Sequence, residues 1–215
     1  MSVTGSTRVG RHAGTSVAAR FGKSILELGG NNAIILTPDA NLKLAIPGIV
    51  FGAVGTAGQR CTSTRRVIIH ESIYEQVKEV LVKAYQGLRI GTPLDENNHV
   101  GPLIDQQAVQ MFTDALNQVQ KEGGRLLTGG DVLSGEGYES GCYVKPAIYE
   151  VENSYDIVCN ETFAPILYLI KYSEIEEAIE MQNAVPQGLS SAIMTTNIRE
   201  SELFLSHAGS DCGIA

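Results

Sequence analysis

Two short motifs hold residues that could carry out covalent chemistry. The first runs Glu27-Leu28-Gly29-Gly30-Asn31-Asn32 and offers a carboxylate followed by two glycines. The second runs Gly58-Gln59-Arg60-Cys61-Thr62 and offers a thiol among small and polar residues. A thiolate can add to a carbonyl carbon, and a carboxylate can then activate water to release the acyl group. The two motifs therefore predict chemistry through a covalent thioester, with Cys61 as the nucleophile and Glu27 as the general base.

The neighbours of Cys61 separate it from the other cysteines, because a cysteine taken alone is most often a small hydrophobic residue of a core. Three arginines place positive charge nearby, which favours the thiolate: Arg60, Arg65 and Arg66. We expect structural roles for the cysteines that lack such neighbours: Cys142, Cys159 and Cys212. Their spacing matches neither a disulfide framework nor a zinc site. We therefore expect no bound metal and a reducing compartment, the cytoplasm or the mitochondrial matrix.

Glu27 stands next to apolar residues, Leu26 and Leu28, and just before Gly29-Gly30. This setting predicts a buried carboxylate beside a close backbone. Burial would raise its pKa toward neutral pH, which suits a general base that acts through water. The alternative is a solvated glutamate or an ordinary ion pair.

Two further segments give weaker signals. Gly5-Ser6-Thr7, with Gly10, is typical of a turn and is too weak a pattern to predict a phosphate site. The segment 160–165 combines Glu161, which could bind ribose hydroxyls, with Phe163, which could flank a ring. Its alternative interpretation is a loop that enters a strand and is stopped by Pro165. The histidines show no ligand spacing and are expected to be structural: His12, His70, His99 and His207.

Composition excludes several classes of partner. The 215 residues carry a formal net charge of −8 and no basic cluster, which argues against nucleic acid. No apolar run is long enough to cross a bilayer, so we expect no membrane partner.

Helical and strand patterns alternate along the chain, which predicts an α/β fold with a largely parallel sheet flanked by helices. Strands are predicted at 33–36, 66–69, 125–128, 144–149, 166–171 and 191–195. Helices are predicted at 41–54, apolar on most faces, and at 105–122. Three more helices are predicted from capping boxes that pair Ser72 with Glu75, Ser173 with Glu176 and Asn197 with Glu200. A glycine-rich surface loop is predicted at 129–141.

The four motifs together resemble the aldehyde dehydrogenase superfamily, in the order that the family uses: Thr-Gly-Ser-Thr at 4–7, Glu-Leu-Gly-Gly, Gly-Gln-Arg-Cys and Glu-Thr-Phe-Ala-Pro. Within the superfamily, four stretches resemble the antiquitin branch, the α-aminoadipic semialdehyde dehydrogenases of lysine breakdown: ELGGNN at 27–32, GTAGQRCTSTRR at 55–66, ETFAPILY at 161–168 and GSDCGI at 209–214.

The resemblance implies NAD-dependent oxidation of an aldehyde through a thiohemiacetal and a thioester on Cys61, with Glu27 activating water. It implies that Glu161 holds the nicotinamide-side ribose and that Phe163 packs near the nicotinamide. Ser6 would face the cofactor phosphates, Gly29 would allow the nicotinamide to approach, and Arg60 would meet the substrate carboxylate. It also implies a homotetramer for the whole enzyme.

Several family features have no counterpart in this chain. The oxyanion asparagine lies in a Pro-Trp-Asn motif, and the chain has no tryptophan. The chain begins and stops abruptly, which predicts a segment of a longer protein. We assign 1–28 to the end of a Rossmann-like cofactor-binding domain and 29–215 to a catalytic domain that stops before the substrate loop and the oligomerisation strand. We expect the isolated chain to be inactive as a dehydrogenase.

Two other functions stay open at this level. Esterase or acyltransferase chemistry needs only Cys61 and a base, but no histidine is an evident partner for the thiol. An inactive fragment could instead act only through association, because uncovered strand edges and apolar faces favour it.

Overall fold

The computed structural model describes residues 1–215 and contains two β-sheets. The strands are β1 (Ser2–Thr4), β2 (Ile25–Glu27), β3 (Asn32–Leu36), β4 (Thr64–His70), β5 (Arg125–Thr128), β6 (Ala147–Glu150), β7 (Ile166–Tyr172) and β8 (Ser191–Met194). The helices are α1 (Thr7–Ala18), α2 (Leu42–Val54), α3 (Glu71–Gln86), α4 (Gln106–Lys121), α5 (Asp156–Cys159), α6 (Ile175–Asn183) and α7 (Ile198–Leu205).

The larger sheet has six strands in the order β5-β6-β7-β4-β3-β8. All neighbours run parallel except β5 and β6, which are antiparallel. Strand β3 is buried along its whole length, and β4 and β7 are buried at all but one position. Such continuous apolar strands are typical of a parallel sheet covered by helices, and α2, α3 and α6 pack against it. The predicted α/β fold with a largely parallel sheet is confirmed.

The smaller sheet consists of β1 and β2, which run parallel and are joined by α1. The stretch Gly5-Ser6-Thr7, predicted as typical of a turn, bends at Gly5 and then enters α1. Ser6 is the N-cap of α1, and its Oγ accepts a hydrogen bond from the Val9 N–H at 3.3 Å. Gly10 lies inside α1, where a Cβ atom would overlap the side chain of Leu28. Small residues are needed here for a helix cap and for close packing between helix and strand.

The predicted boundary at residue 28 falls between the two sheets, since β2 ends at Glu27 and β3 begins at Asn32. The division into a cofactor-binding and a catalytic domain stays a prediction. No helix of the chain is both long and apolar enough to cross a membrane.

Most predicted elements are present, with local differences that have physical causes. Strand β6 begins at Ala147 rather than at residue 144, because Pro146 has no N–H to give to a sheet ladder. Helix α2 is less buried than predicted: Leu44 and Phe51 are 73% and 66% exposed. The sequence pattern gave no sign of α5, which is a single turn.

The capping boxes are wrong in their partners. Helix α3 is capped by His70, whose Nδ1 accepts the Ser72 N–H at 3.1 Å, so the helix begins before Ser72. An imidazole nitrogen competes here with the serine hydroxyl that the pattern favours.

The other two helices that were assigned capping boxes also differ in detail. At α6, the Ser173 N–H donates to Glu177 rather than to Glu176. At α7, Asn197 is the N-cap as predicted, but Glu200 bonds to Thr195.

Replacing His70 with alanine should lower the free energy of unfolding by about 1 kcal/mol, because α3 loses its N-terminal acceptor. His70→Asn should retain most of that stability, since asparagine is a good N-cap. Urea denaturation measures both. Equal loss in the two variants would show that the contact between the His70 and Tyr172 rings matters instead of the cap.

Candidate active site

A cleft of about 1140 Å³ lies between the small sheet and the large one. Its walls come from the start of α1, the segment after β2, the turn before β4, one face of α4 and the segment before β7. All but one of the predicted site residues line it: Ser6, Gly29, Arg60, Cys61, Glu161 and Phe163. The exception is Glu27. Their roles toward a cofactor or substrate stay predictions.

A left-handed turn presents Cys61 to the cleft. Thr56, Ala57 and Gly58 follow α2 with φ angles of 55°, 52° and 69°. This region is unfavourable for residues with a Cβ atom and more so for a β-branched threonine. Gly58 has a second constraint, because a Cβ atom there would lie 2.6 Å from the backbone carbonyl carbon of Ala164. Backbone strain of this kind persists only where packing enforces it, and here it leaves the Cys61 side chain exposed.

Asn32 holds the backbone of the Cys61 turn. Its Nδ2 donates to the carbonyl oxygens of Cys61 and Ser63, both at 2.8 Å. Its Oδ1 accepts the Ser190 hydroxyl at 2.8 Å, so the buried amide is bonded at both ends. The sequence motifs predict no separate role for Asn32. The available signal was a polar side chain at the start of an otherwise apolar, fully buried strand.

Arg65 is buried beneath the same turn. Its guanidinium donates to the carbonyl oxygens of Gly58 at 3.1 Å, Arg60 at 3.2 Å and Ala164 at 3.3 Å. Burial lowers the pKa of Arg65, and the nearby Glu161 carboxylate opposes that shift. The predicted positive charge next to Cys61 is therefore present, held in a fixed position by backbone acceptors.

Arg66 does not contribute to that charge as predicted. Successive side chains of a strand point to opposite faces, so in β4 it diverges from Arg65. Its guanidinium donates to Asn31 O at 2.9 Å, Met181 O at 2.8 Å and Gln182 O at 3.0 Å. Burial lowers the pKa of Arg66 to about 10, so it is charged at neutral pH. It joins the segment before β3 to the end of α6.

Glu161 closes one side of the cleft. Its carboxylate accepts the Gly30 N–H at 3.2 Å and lies 3.5 Å from the Arg65 guanidinium. A Cβ atom at Gly29 would overlap the Glu161 carboxylate. Gly29 therefore makes room for Glu161 itself. The side chain of Glu161 keeps 17% of its surface exposed, and Phe163, beside it, is 39% exposed.

Arg60 lies at the border between two cavities. Besides the cleft, it lines a groove of about 600 Å³ beside α2, together with Val50 and Phe51. Its Nε donates to Thr56 Oγ1 at 2.9 Å, and its guanidinium lies over the Phe51 ring at 5.3 Å from the centroid. The charge is thus next to Cys61 in sequence but turned toward α2.

Glu27 is exposed, so the prediction of a buried carboxylate is wrong. In β2 it alternates with Leu26 and Leu28, which are the side chains nearest to Gly14 and Gly10 of α1. The apolar neighbours cover the α1 face, and Glu27 points to the other face of the two-stranded sheet. Its carbonyl oxygen accepts the Gly5 N–H at 3.0 Å, next to the cleft.

Helix α4 supplies a wall of the cleft that our sequence analysis missed. The four residues are spaced as one helical face: Met111, Asp114, Ala115 and Gln118. That spacing was the available signal. None of the other cysteines or the histidines lines the cleft, and no group of three or more His, Cys, Asp or Glu side chains could hold a metal ion.

Gly58→Ala should lower the free energy of unfolding by more than about 2 kcal/mol, because of its positive φ and the overlap with Ala164. Gly48→Ala is the matched control: Gly48 lies within α2 with nothing within 4 Å of its Cβ position. It should raise stability by up to about 1 kcal/mol, since alanine favours a helix. Chemical denaturation of both variants checks the pair, and a neutral Gly58→Ala would contradict the strained geometry.

Comparisons with known proteins identify relatives of this chain. The chain is 49% identical over 215 residues to the α-aminoadipic semialdehyde dehydrogenase of Rattus norvegicus, covering all of this chain and 39% of that protein. It is 49% identical over 217 residues to a putative aldehyde dehydrogenase family 7 member A1 homolog of Caenorhabditis elegans, covering all of this chain and 40% of that protein. The chain thus spans about two fifths of the length of these curated relatives.

The fold is also that of a solved betaine aldehyde dehydrogenase from Staphylococcus aureus, in complex with NAD+. The TM-score is 0.95 at 24% identity, with 99% of this chain and 42% of that chain covered. The aldehyde dehydrogenase family model matches residues 1–214. The predicted resemblance is confirmed: this chain belongs to the aldehyde dehydrogenase family.

Proposed function

We propose that this chain carries the nucleophile and the water-activating carboxylate of an NAD-dependent enzyme that oxidises α-aminoadipic semialdehyde to the acid. The observation that carries the proposal is an exposed thiol, Cys61, held by a strained turn at a cleft whose opposite side bears Glu161. Arg65 places a positive charge beneath the turn, and a positive charge near a thiol stabilises the thiolate. The Cys61 thiolate adds to the aldehyde carbon and forms a thiohemiacetal, which becomes a thioester when hydride leaves.

The cleft fits the nicotinamide end of a dinucleotide. Glu161 offers a partly exposed carboxylate for ribose hydroxyls, and Phe163 offers an exposed ring edge or face. Ser6 lies where α1 begins, and the free N–H groups of a helix N-terminus attract phosphate. NAD+, when bound, supplies the hydride acceptor. The choice of NAD+ follows from the resemblance to the α-aminoadipic semialdehyde dehydrogenases.

Arg60 is the proposed contact for the substrate carboxylate. A guanidinium can bind a carboxylate with two parallel hydrogen bonds, and Arg60 directly precedes Cys61. It would have to turn away from Phe51 to reach the cleft. The 49% identity to a protein named for this substrate supports the assignment.

The remaining parts of the proposal concern the whole enzyme. They are the homotetramer, a role in lysine breakdown, a location in the cytoplasm or mitochondrial matrix, and the division into a cofactor-binding segment at 1–28 and a catalytic domain at 29–215. Removing one donor from an oxyanion hole lowers the catalytic rate by about 10²–10³-fold. The chain has no tryptophan and so no Pro-Trp-Asn motif. We therefore expect this chain alone to form no measurable NADH.

The first test compares NADH formation from α-aminoadipic semialdehyde by this chain and by the chain extended at both ends with the matching segments of the Rattus norvegicus relative. The extended protein should turn over, and its Cys61→Ala variant should not, because the thioester cannot form. Cys159→Ala is the control, since that thiol does not line the cleft. An extended protein that is folded but inert toward this aldehyde would contradict the substrate assignment.

The second test concerns Glu27. In the extended protein, Glu27→Gln should still form the thioester, because hydride leaves before water attacks. We expect a burst of NADH equivalent to the Cys61 present, then a steady rate lower by about 10²-fold or more, since proton abstraction from water is lost. Rapid mixing with fluorescence detection of NADH measures both phases. An unchanged steady rate would show that Glu27 does not activate water in this enzyme.

The esterase alternative has less support in the structure. Thiol hydrolases rely on a base close to the nucleophile, and no histidine lines the cleft. Ester cleavage without NADH formation in the extended protein would nevertheless favour it.

A further inference from the structure

Arg65 contacts both sides of the cleft. On one side it bonds to the turn before Cys61, through the carbonyl oxygens of Gly58 and Arg60. On the other it bonds to Ala164 O and faces the Glu161 carboxylate at 3.5 Å. These two segments are about 100 residues apart in the chain.

The side chain is almost fully enclosed, with 2% of its surface exposed. Phe163 covers it from the cleft, with the guanidinium carbon 5.4 Å from the ring centroid. A buried guanidinium keeps its charge only with several acceptors around it, and here every acceptor belongs to one of the two segments that border the cleft. A neutral residue of the same length could fill the volume but could not join them.

The charged groups that face Cys61 come from several elements. Arg65 lies beneath the turn, and Arg60 precedes Cys61 with its guanidinium turned toward the Phe51 ring. Glu161, before β7, and Asp114, on α4, line the same cleft. Glu161 pairs with Arg65, so it offsets the charge that Arg65 places near the thiol.

We infer that Arg65 is a positioning residue that sets the nucleophile turn and the Glu161–Ala164 segment at a fixed separation and places the positive charge that activates Cys61. This deepens the proposed function, on which it rests for the role of Cys61. The chemistry is electrostatic and structural, and Arg65 itself touches no reacting atom.

The test is the rate of Cys61 alkylation by iodoacetamide across pH, resolved from the other cysteines by peptide mass spectrometry. It uses the chain as it stands and needs neither NAD+ nor aldehyde, so it can fail or succeed independently of the dehydrogenase proposal. The variants are Arg65→Met and Glu161→Gln. Arg125→Met is the matched control, because it also breaks an arginine–glutamate pair, with Glu150, away from the cleft.

Arg65→Met should slow the alkylation at pH 7 by about threefold and move the profile to higher pH, because the thiolate loses the positive charge beneath it. Glu161→Gln should move the profile the opposite way, because Arg65 then keeps its charge without a partner. Arg125→Met should leave it unchanged. Thermal unfolding of each variant shows whether it is folded.

Opposite shifts in the two variants support the inference, because a merely structural loss would loosen the turn and move both profiles in the same direction. Shifts of the same sign, or no shift in a folded Arg65→Met protein, would overturn it. If Arg65→Met does not fold, Glu161→Gln decides: a profile equal to the unmodified chain, or moved to higher pH, overturns the inference.

Discussion

The close backbone contact between Gly58 and Ala164 is the constraint on which the cleft depends. It admits no Cβ atom at Gly58 and forces the chain through three successive left-handed residues after α2. That turn decides where Cys61 stands and that its thiol is exposed. The strain is held by hydrogen bonds from buried side chains, since Arg65 binds carbonyl oxygens on both sides of the contact and Asn32 binds the carbonyl of Cys61.

Two adjacent arginines in β4 bond to different segments of the chain. Because strand side chains alternate, Arg65 serves the face of the cleft and Arg66 serves the opposite face. Both bind mainly carbonyl oxygens rather than carboxylates, and their several donors reach more than one chain segment at once. Arg66 joins Asn31 to the end of α6. The segment 29–32 is therefore bonded both to Arg66 and, in the cleft, to Glu161.

Glycines 29 and 30 show how the site is assembled across the chain. Glu161 extends from the segment before β7 and accepts a hydrogen bond from the Gly30 N–H. Its carboxylate occupies the space that a side chain at Gly29 would need. The carboxylate is thereby fixed on the wall of the cleft without losing all contact with solvent. In this way a motif near the start of the chain and a motif far along it form one cavity wall.

The family, the α/β class and the positions of most strands and helices follow from the sequence alone, because they depend on local periodicity and on short motifs. The sequence did not determine the exposure of Glu27, the divergence of Arg65 and Arg66, or the contacts of Asn32 and α4. It also misplaced the cap of α3, which belongs to His70. Only the tertiary structure decided these features. Each depends on which face of an element is covered, and on side chains from distant segments that compete for the same hydrogen-bond partners.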